Sequence, residues 1–590
     1  MSRKLFGILL IMALMLSMVA GCGNTTAAST AASEETAAEV ESTASEAEAP
    51  AAEAEEPAAE PDVPAAEPEA AASTEAEEAA PEIDVYPLGE GIELTAFCEF
   101  RSSDTGGLID TRGDAFFLQH AAEVTGVSLK TTDISQQAFS ENFNLLVASG
   151  DYPDLIFNVN SYYASGMDAA IDDEVLIDLE PYLADYAPNY YGLMESNPQT
   201  KKDTHTDTGR CGQFFCLENE AQNDGSGYFI RTDMLEQIGM EVPETLDEYH
   251  DVLIALKNID GISYPMYVGS TGISAICNAY GVGGLGVGGG FGATDLNYVV
   301  KDGEVIATYF QEEYRTVLGI MNQWMEEGIY SHDYATLSTE VMPPDADYYA
   351  AITHGECALF SYTSNTTDLV KDALENDPAF AIEPTPTMVL NKGDKIKSTT
   401  VTTLVDSNGF GISTQCEQVE IAMRYLDWFY GEEGALCASY GIEGVTYELD
   451  ADGNPQWTDF VLNNPDGLAS NNIIYSYCVQ NEVGNVDVHR QDYRKTEEQA
   501  AVSALWNENV DYEGAEGLSR YITMTAEESD IYTATISDIA TYIAETIPKF
   551  VYGDLNLEDD YDEFLQTLTD MNIEECVSIK QDVYDRYQAR

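Results

Sequence analysis

The chain has 590 residues, enough for two or more hydrophobic cores, because a single core stops growing near roughly 250–300 residues. Its 25 Lys and Arg stand against 105 Asp and Glu, a formal net charge of -80. Such a surface repels nucleic acid and anionic headgroups, which excludes a phosphate-binding role and is compatible with solubility outside the cell.

Arg3 and Lys4 give a charged start, and Leu5 to Val19 is an apolar run too short for an ordinary membrane span. The run ends at Val19-Ala20-Gly21-Cys22, which resembles a bacterial lipoprotein box. That resemblance implies a signal peptide over 1–21, cleavage before Cys22 and thioether lipidation of its sulfur. The alternative is an ordinary secretion signal with an incidental cysteine. From Gly23 to Ile83 the composition collapses to Ala, Glu, Ser, Thr and Pro, with no Lys or Arg. This segment cannot bury enough apolar surface to offset its ordering entropy, and its like charges stretch it. Residues 22–90 are therefore expected to be a disordered tether, with an end-to-end reach on the order of 45 Å.

A first strand is predicted from Ile92 to Phe97, followed by a polar loop from Arg101 to Gly113 and a helix from Ala115 to Val124. Gly126 turns the chain into a second strand. Glu141 to Phe157 (ENFNLLVASGDYPDLIF) then reads as an amphipathic helix, a stop at Gly150, and a buried strand opened by Pro153. Strand, helix, strand, helix, strand is the grammar of a parallel sheet with helices on its faces. Ligands of such sheets sit outside the carboxyl ends of the strands, where the loops 101–113 and 158–167 fall. Arg101, Tyr162 and Tyr163 are thus candidate ligand contacts; the alternative for the tyrosines is plain surface in a chain with 36 of them.

Several of these segments resemble the extracellular solute-binding proteins of ABC importers (family 1), in their large, oligosaccharide-type lipoprotein branch. The helix ending Ala-Ser-Gly-Asp before Pro-Asp and an apolar strand is one such segment. Others are Pro188-Asn189-Tyr190-Tyr191, Phe229 to Tyr249 (FIRTDMLEQIGMEVPETLDEY, with Thr245 and Glu248 as a capping box), His354 to Tyr362, Ala422 to Tyr447, and the closing helices Ile547 to Arg590.

The resemblance implies an α/β, two-lobe periplasmic-binding-protein-like fold (type II), each lobe a mostly parallel sheet flanked by helices with a hinge between. It places the N-lobe at 91–225 plus 381–440 and the C-lobe at 226–380 plus 441–590. The first crossing is expected at Asn219 to Gly227 and a return crossing at Ala381 to Thr387. Tyr280, Tyr362, Asn365, Tyr440 and Glu443 join the expected ligand contacts, while Trp324 and Trp428 are expected in the core. Trp457 and Trp506 are either the second lobe's sugar platform or core, and Arg231 is expected to order the lobe interface. The implied partners are an oligosaccharide and the ABC permease subunits. The implied state is a monomer on the extracellular face of a bacterial cell membrane, held by lipid alone and without a cofactor.

Other chemistries find little support. The stretch Lys257 to Ser263, where relatives carry a calcium loop, lacks the repeated oxygens a calcium ion needs. Asp450 to Asn454 alternates oxygens, but Pro455 and Val461 stand where an EF-hand needs a turn glycine and a bidentate acid, so a hairpin turn is the reading. Gly281 to Gly292 contains a formal GxGxxG without a preceding strand or a P-loop lysine, and reads as a mobile loop at the cleft rim or hinge. The rival functions are an extracellular glycoside hydrolase-like enzyme and a non-transport glycan-binding lipoprotein; for the enzyme, 105 acidic residues make any carboxylate pair uninformative. The six histidines show no HExxH and there is no GxSxG. Nine cysteines remain beside Cys22, an odd number, with Cys211 and Cys216 near enough in sequence for a local bridge.

Overall fold

A computed structural model describes residues 86–163, 165–221, 226–267, 274–284, 296–335, 346–399 and 401–590. The expected leader, Cys22, most of the tether, and the stretch 285–292 of the glycine loop lie outside the described residues. The end of the expected tether does not: Tyr86 and Leu88 pack against the first core, and the Leu88 amide donates to the Thr125 carbonyl at 2.7 Å. Ordered chain therefore begins before residue 90.

β1 (Ile92–Glu99) and β2 (Val127–Ile134) pair in parallel over their whole length. Between them runs the helix Phe116–Thr125, ended by Gly126 at φ 75°. A Cβ there would also lie 2.1 Å from the Gly89 carbonyl oxygen, so no side chain fits. The helix Phe139–Ser149 stops at Gly150 and leads into β3 (Leu155–Phe157), all three residues buried. β4 (Phe214–Glu218) ends the first passage through this lobe.

The chain then builds β5 (Ser226–Arg231), β6 (Met266–Tyr267), the hairpin of β7 (Tyr298–Lys301) and β8 (Glu304–Ala307), β9 (Leu359–Thr363) and β10 (Ile382–Pro384). It returns through β11 (Ile396–Lys397) into β12 (Val405–Ile412), forms the hairpin of β13 (Tyr447–Leu449) and β14 (Pro455–Trp457), and adds β15 (Asn485–Val486) and β16 (Val510–Asp511). The first sheet has the order β15-β4-β12-β3-β1-β2, with β12 antiparallel to both neighbours and the other three pairings parallel. The second has the order β10-β5-β9-β6. There β5 is antiparallel to β9 and β10, and only β6 with β9 is parallel. That sheet departs from the parallel expectation because β5 and β10 are the strands on which the chain enters and leaves the lobe.

Strand pairing also moves the lobe boundaries. Ile382–Pro384 is hydrogen-bonded to β5 rather than forming a linker, so the return crossing follows β11 instead of starting at 381. Val486 pairs with Glu218, and Val479, Val483 and Val486 sit in the first core, so the segment after 440 stays with the first lobe through β15. A satellite core of Tyr440, Tyr447, Trp457, Val461, Ile473, Ile474 and Cys478 explains why: it needs the first lobe to cover it. The stack of Phe116 on Tyr477 (4.1 Å, 15°) makes that contact.

The closing helices Ala526–Val551, Tyr561–Asp570 and Ile573–Ala589 pack on the second core, yet the last one reaches back. The Tyr587 hydroxyl donates to the Asp203 carboxylate, and Arg590 Nε donates to Asp207 at 2.7 Å. Arg231 is fully buried on Asp233 and Asp377 (2.7 Å each) under Phe380, all within the second lobe. It orders that lobe's interior and not the interface. The nine described cysteines are all free and buried, so Cys211 and Cys216 form no bridge.

Candidate functional site

The registers place one end of every strand of the first sheet along a single edge. It carries the carboxyl ends of β1, β2, β3, β4 and β15 together with the start of the antiparallel β12. From this edge seven residues lead from β4 to β5, a span of at most about 27 Å when fully extended. The start of β5 lies opposite the end of β9, with Ser226 against Thr363 and Gly227 against Tyr362. The crossing thus ties the carboxyl edge of the first sheet to the Tyr362 end of the second. An open α/β sheet binds its ligand at such an edge.

On the first lobe the edge is polar and already bonded. Arg101 Nε donates to Glu99 at 2.7 Å, and the Arg101 amide donates to the Tyr475 hydroxyl at 2.9 Å. Behind it Arg112, 3% exposed, pairs with Glu482 and donates through Nη1 to the Tyr475 carbonyl at 2.9 Å. Burial pushes the Tyr475 phenol up to about 12, so it stays protonated and neutral. Asn158 follows β3 in the left-handed region (φ 57°), its amide donating to Gly409 at 2.7 Å and its Nδ2 to Asn408 Oδ1 at 2.6 Å. Its Oδ1 is buried and has no hydrogen-bond partner. Asp406 accepts from Asn481 Nδ2 at 3.1 Å and from the Asn408 amide at 2.9 Å, and burial raises its carboxyl above the usual range.

The edge of the second lobe is aromatic. Gly227 lies flat against the Trp506 indole; a Cβ there would meet the ring at 2.4–2.5 Å. Trp506 also makes an edge contact with Phe229 (5.5 Å, 86°), and its Nε1–H is buried without a partner. Tyr267, at the end of β6, stacks on Tyr348 (5.7 Å, 15°). Asn365 is exposed and accepts from Gln499 Nε2 at 3.1 Å.

The sequence-derived contacts fall into three groups. Arg101, Tyr162 and Tyr163 lie together along the first edge. Tyr162 is half-buried against Phe139 (4.9 Å) and Phe143 (5.8 Å), and Tyr163 donates to Asp173 at 2.5 Å. Burial raises the Tyr162 phenol, and burial followed by the Asp173 carboxylate raises that of Tyr163. Tyr362, Asn365 and Trp506 gather at the second edge, Tyr362 and Trp506 in one small core. The others are apart from these. Tyr440 is fully buried with its hydroxyl on Asp487 at 2.5 Å, and Trp457 donates to the Arg490 carbonyl at 3.0 Å beside it. Glu443 is exposed on the turn before β13, and Tyr280 follows the helix Ser274–Ala279 against the second core.

Sequence reasoning missed Asn158, Arg112, Tyr475, Glu482 and Asp406. Asn158 carried a usable signal, a polar residue directly after an apolar strand. Glu482 carried none, since its partner lies 370 positions away. Among the described residues no three His, Cys, Asp or Glu side chains form a metal-holding group. The turn at Asp450 is a hairpin turn: Oδ1 accepts the amides of Asp452 and Asn454, each at 2.9 Å.

The family model described as "Bacterial extracellular solute-binding protein" matches residues 110–436. The chain belongs to that family. Pro188-Asn189-Tyr190 and Ala422 to Tyr447, two segments of the resemblance, meet in the fold: Asp427 accepts from Asn189 Nδ2 at 2.9 Å and from the Tyr190 amide at 2.8 Å. Among the family's members, lipoprotein LipO of Bacillus subtilis is 23% identical over 76% of this chain and 84% of its own length. The fructooligosaccharide ABC transporter substrate-binding protein FusA of Streptococcus pneumoniae is 24% identical over 81% of this chain and 88% of its own. The solved HMO-binding, ABC-transporter-associated solute-binding protein of Bifidobacterium longum infantis superposes with a TM-score of 0.65 at 16% identity, covering 85% of this chain and 99% of that one. The two-lobe binding-protein fold follows from this likeness and from the two sheets with their separate cores.

Proposed function

We propose that this protein captures an oligosaccharide between its lobes and delivers it to the permease of an ABC importer, without chemical turnover. The observation that carries the reading is the pairing of unlike edges: bonded polar groups at the strand ends of the first sheet, and an indole and tyrosines at those of the second. Sugars offer both complements, hydroxyls for polar groups and C–H faces for aromatic ones. The relative named for fructooligosaccharides and the solved neighbour titled as HMO-binding support the ligand class. In this reading Arg101, Tyr162 and Tyr163 meet the sugar from one side and Tyr362, Asn365 and Trp506 from the other. Tyr440 and Trp457 brace the wall, and Tyr280 and Glu443 serve longer ligands. Closure is a population shift, driven by contacts both lobes make only when shut.

A monomer held by lipid at Cys22 suits this task, and the lipoprotein name of one relative supports the anchor. No helix among the described residues is long and apolar enough to cross a membrane. The test is calorimetry against an oligosaccharide panel, with chromatography of the sugar afterwards and scattering of the protein before and after. Saturable heat, intact sugar and a smaller radius of gyration are expected. Shortened or rearranged sugar would replace the reading with an enzyme.

A further inference from the structure

One helix belongs to both lobes. Along Ile573–Ala589 the residues Ile573, Cys576, Ile579 and Val583 lie in the second core, in the steps of three and four that mark a single helical face. One turn further on, Tyr587 continues that face but is buried in the first core. The helix is unbroken between them, so the two cores share one rod.

The Tyr587 end is fastened to the first lobe through buried groups. The Tyr587 hydroxyl donates to Asp203, 3% exposed, whose other carboxylate oxygen accepts from Thr403 Oγ1 at 2.6 Å. Thr403 lies on the return crossing, two residues before β12. Arg590 Nε donates to Asp207 at 2.7 Å, and its Nη1 donates to the His205 carbonyl at 2.7 Å. Arg586 joins the same Asp207 (3.0 Å) to Glu528 (2.6 Å) on the long helix Ala526–Val551 of the second lobe. Asp203 and Asp207 sit on and just after the helix Pro198–Thr204, which the Thr204 hydroxyl ties to Met194 of the first core at 3.2 Å.

Pulling this end away would strand buried carboxylates and guanidinium groups without partners, which is costly. Turning about it leaves every one of those bonds made. The cheapest relative motion of the lobes is therefore a rotation about the Tyr587 end, beside the crossing whose backbone must bend. A fixed pivot also narrows the lobe angles sampled before a ligand arrives, and a preorganised cleft binds more tightly.

We propose that this end of the helix is the pivot of lobe closure, and that Arg586, Tyr587 and Arg590 are positioning residues that set ligand affinity without touching the ligand. This rests on capture between closing lobes, as read above, and not on the chemistry of the ligand. The experiment measures the spread of lobe-to-lobe distances by electron spin resonance on the full chain. Spin labels stand at exposed Leu145 on the first lobe and exposed Leu374 on the second, carried by non-natural residues so that the buried thiols are left alone. Arg590→Met keeps the stem and removes the fork, and Tyr587→Phe removes one hydroxyl. Ile579→Val trims the same helix inside the second core, as a control for lost stability alone. Without ligand, the distance distribution should broaden in Arg590→Met, broaden less in Tyr587→Phe and match the parent in Ile579→Val. By calorimetry, Arg590→Met should weaken every sugar that the parent binds by one common factor, on the order of tenfold, because no ligand contact has changed. A parent-like distribution in folded Arg590→Met overturns the pivot; should that variant fail to fold, Tyr587→Phe decides in the same way. Tighter binding overturns it too, since closure would then give these bonds up. If the parent binds no sugar, the carbohydrate reading falls and the distances still decide the pivot.

Discussion

The two sheet edges between which we place the ligand are built by opposite means. The first is a set of strand ends whose charged groups are locked in pairs before any ligand arrives: Arg101 with Glu99, Arg112 with Glu482, Asn481 with Asp406. The second is a surface of rings, with Trp506 on Gly227 and Tyr267 on Tyr348. The difference teaches how a very acidic chain can recognise a polar solute. Fixed pairs give direction without reorganisation, and rings give area that carries no charge.

Breaking the strongest pair should do the most damage. Arg112→Ala leaves Glu482 buried and uncompensated, and a loss of about 3–5 kcal/mol is expected in urea unfolding. An unchanged midpoint would show that the first edge is not organised around this pair. Next comes Gly227→Ala, whose new methyl must displace the Trp506 ring. A cost of about 1–3 kcal/mol is expected, together with a shift in tryptophan emission. A variant of normal stability and unchanged emission would mean that the indole does not rest on β5.

Much of this architecture was legible in the residues, and the boundary between legible and not is physical. The helix and strand around Gly150, the capping box at Thr245, the core placement of Trp324 and Trp428 and the hairpin at Asp450 all follow from local rules, because each is decided within a few positions. The lobe boundaries were not legible. Ile382-Glu383-Pro384 reads as proline-rich linker, yet tertiary hydrogen bonds to β5 make it an edge strand, where a proline costs nothing if its missing N–H faces outward. Residues 441–486 stay with the first lobe because their small core cannot close alone, which no local pattern reports. At the site, Arg101, Tyr162 and Tyr163 came from one idea, that ligands gather at strand ends. Glu482 and Asp406 escaped it because their neighbours are set by long-range pairing.

Acidity offers a sharper probe of the first edge. Burial holds the Asp406 carboxyl above its ordinary range in the folded chain, against about 3.9 when unfolded. A raised folded value means the native state keeps its proton longer. The stability tied to this group is therefore complete below pH of about 3.9 and is lost as pH rises through the folded value. Asp406→Asn removes that loss, so the variant should gain on the parent as pH climbs from about 4 toward neutrality. Melting temperatures of the two proteins across that range check it. A difference that does not vary with pH would place Asp406 in contact with solvent and loosen the whole description of a bonded edge. Differencing is needed because Asp203, also raised by burial, titrates in the same direction in both proteins.

The smallest effect is expected where the edge meets solvent. Arg101 is exposed although its partner Glu99 is mostly covered, so Arg101→Ala should cost no more than about 1 kcal/mol of stability. Its effect on ligand should be larger than that. Only Nε of the guanidinium is bonded to Glu99 in a hydrogen bond, leaving the two terminal nitrogens to donate to a hydroxyl while the pair as a whole stays neutral. A loss near tenfold in affinity for a neutral oligosaccharide, about 1.4 kcal/mol, is the expected result, with the melting temperature almost unmoved. Arg101→Lys should recover little of it, because a lysine ammonium has neither the fork nor the reach to hold Glu99 and a hydroxyl together. Equal losses in stability and in affinity would instead assign Arg101 to the fold, and the first edge would then owe its ligand contacts to the tyrosines alone.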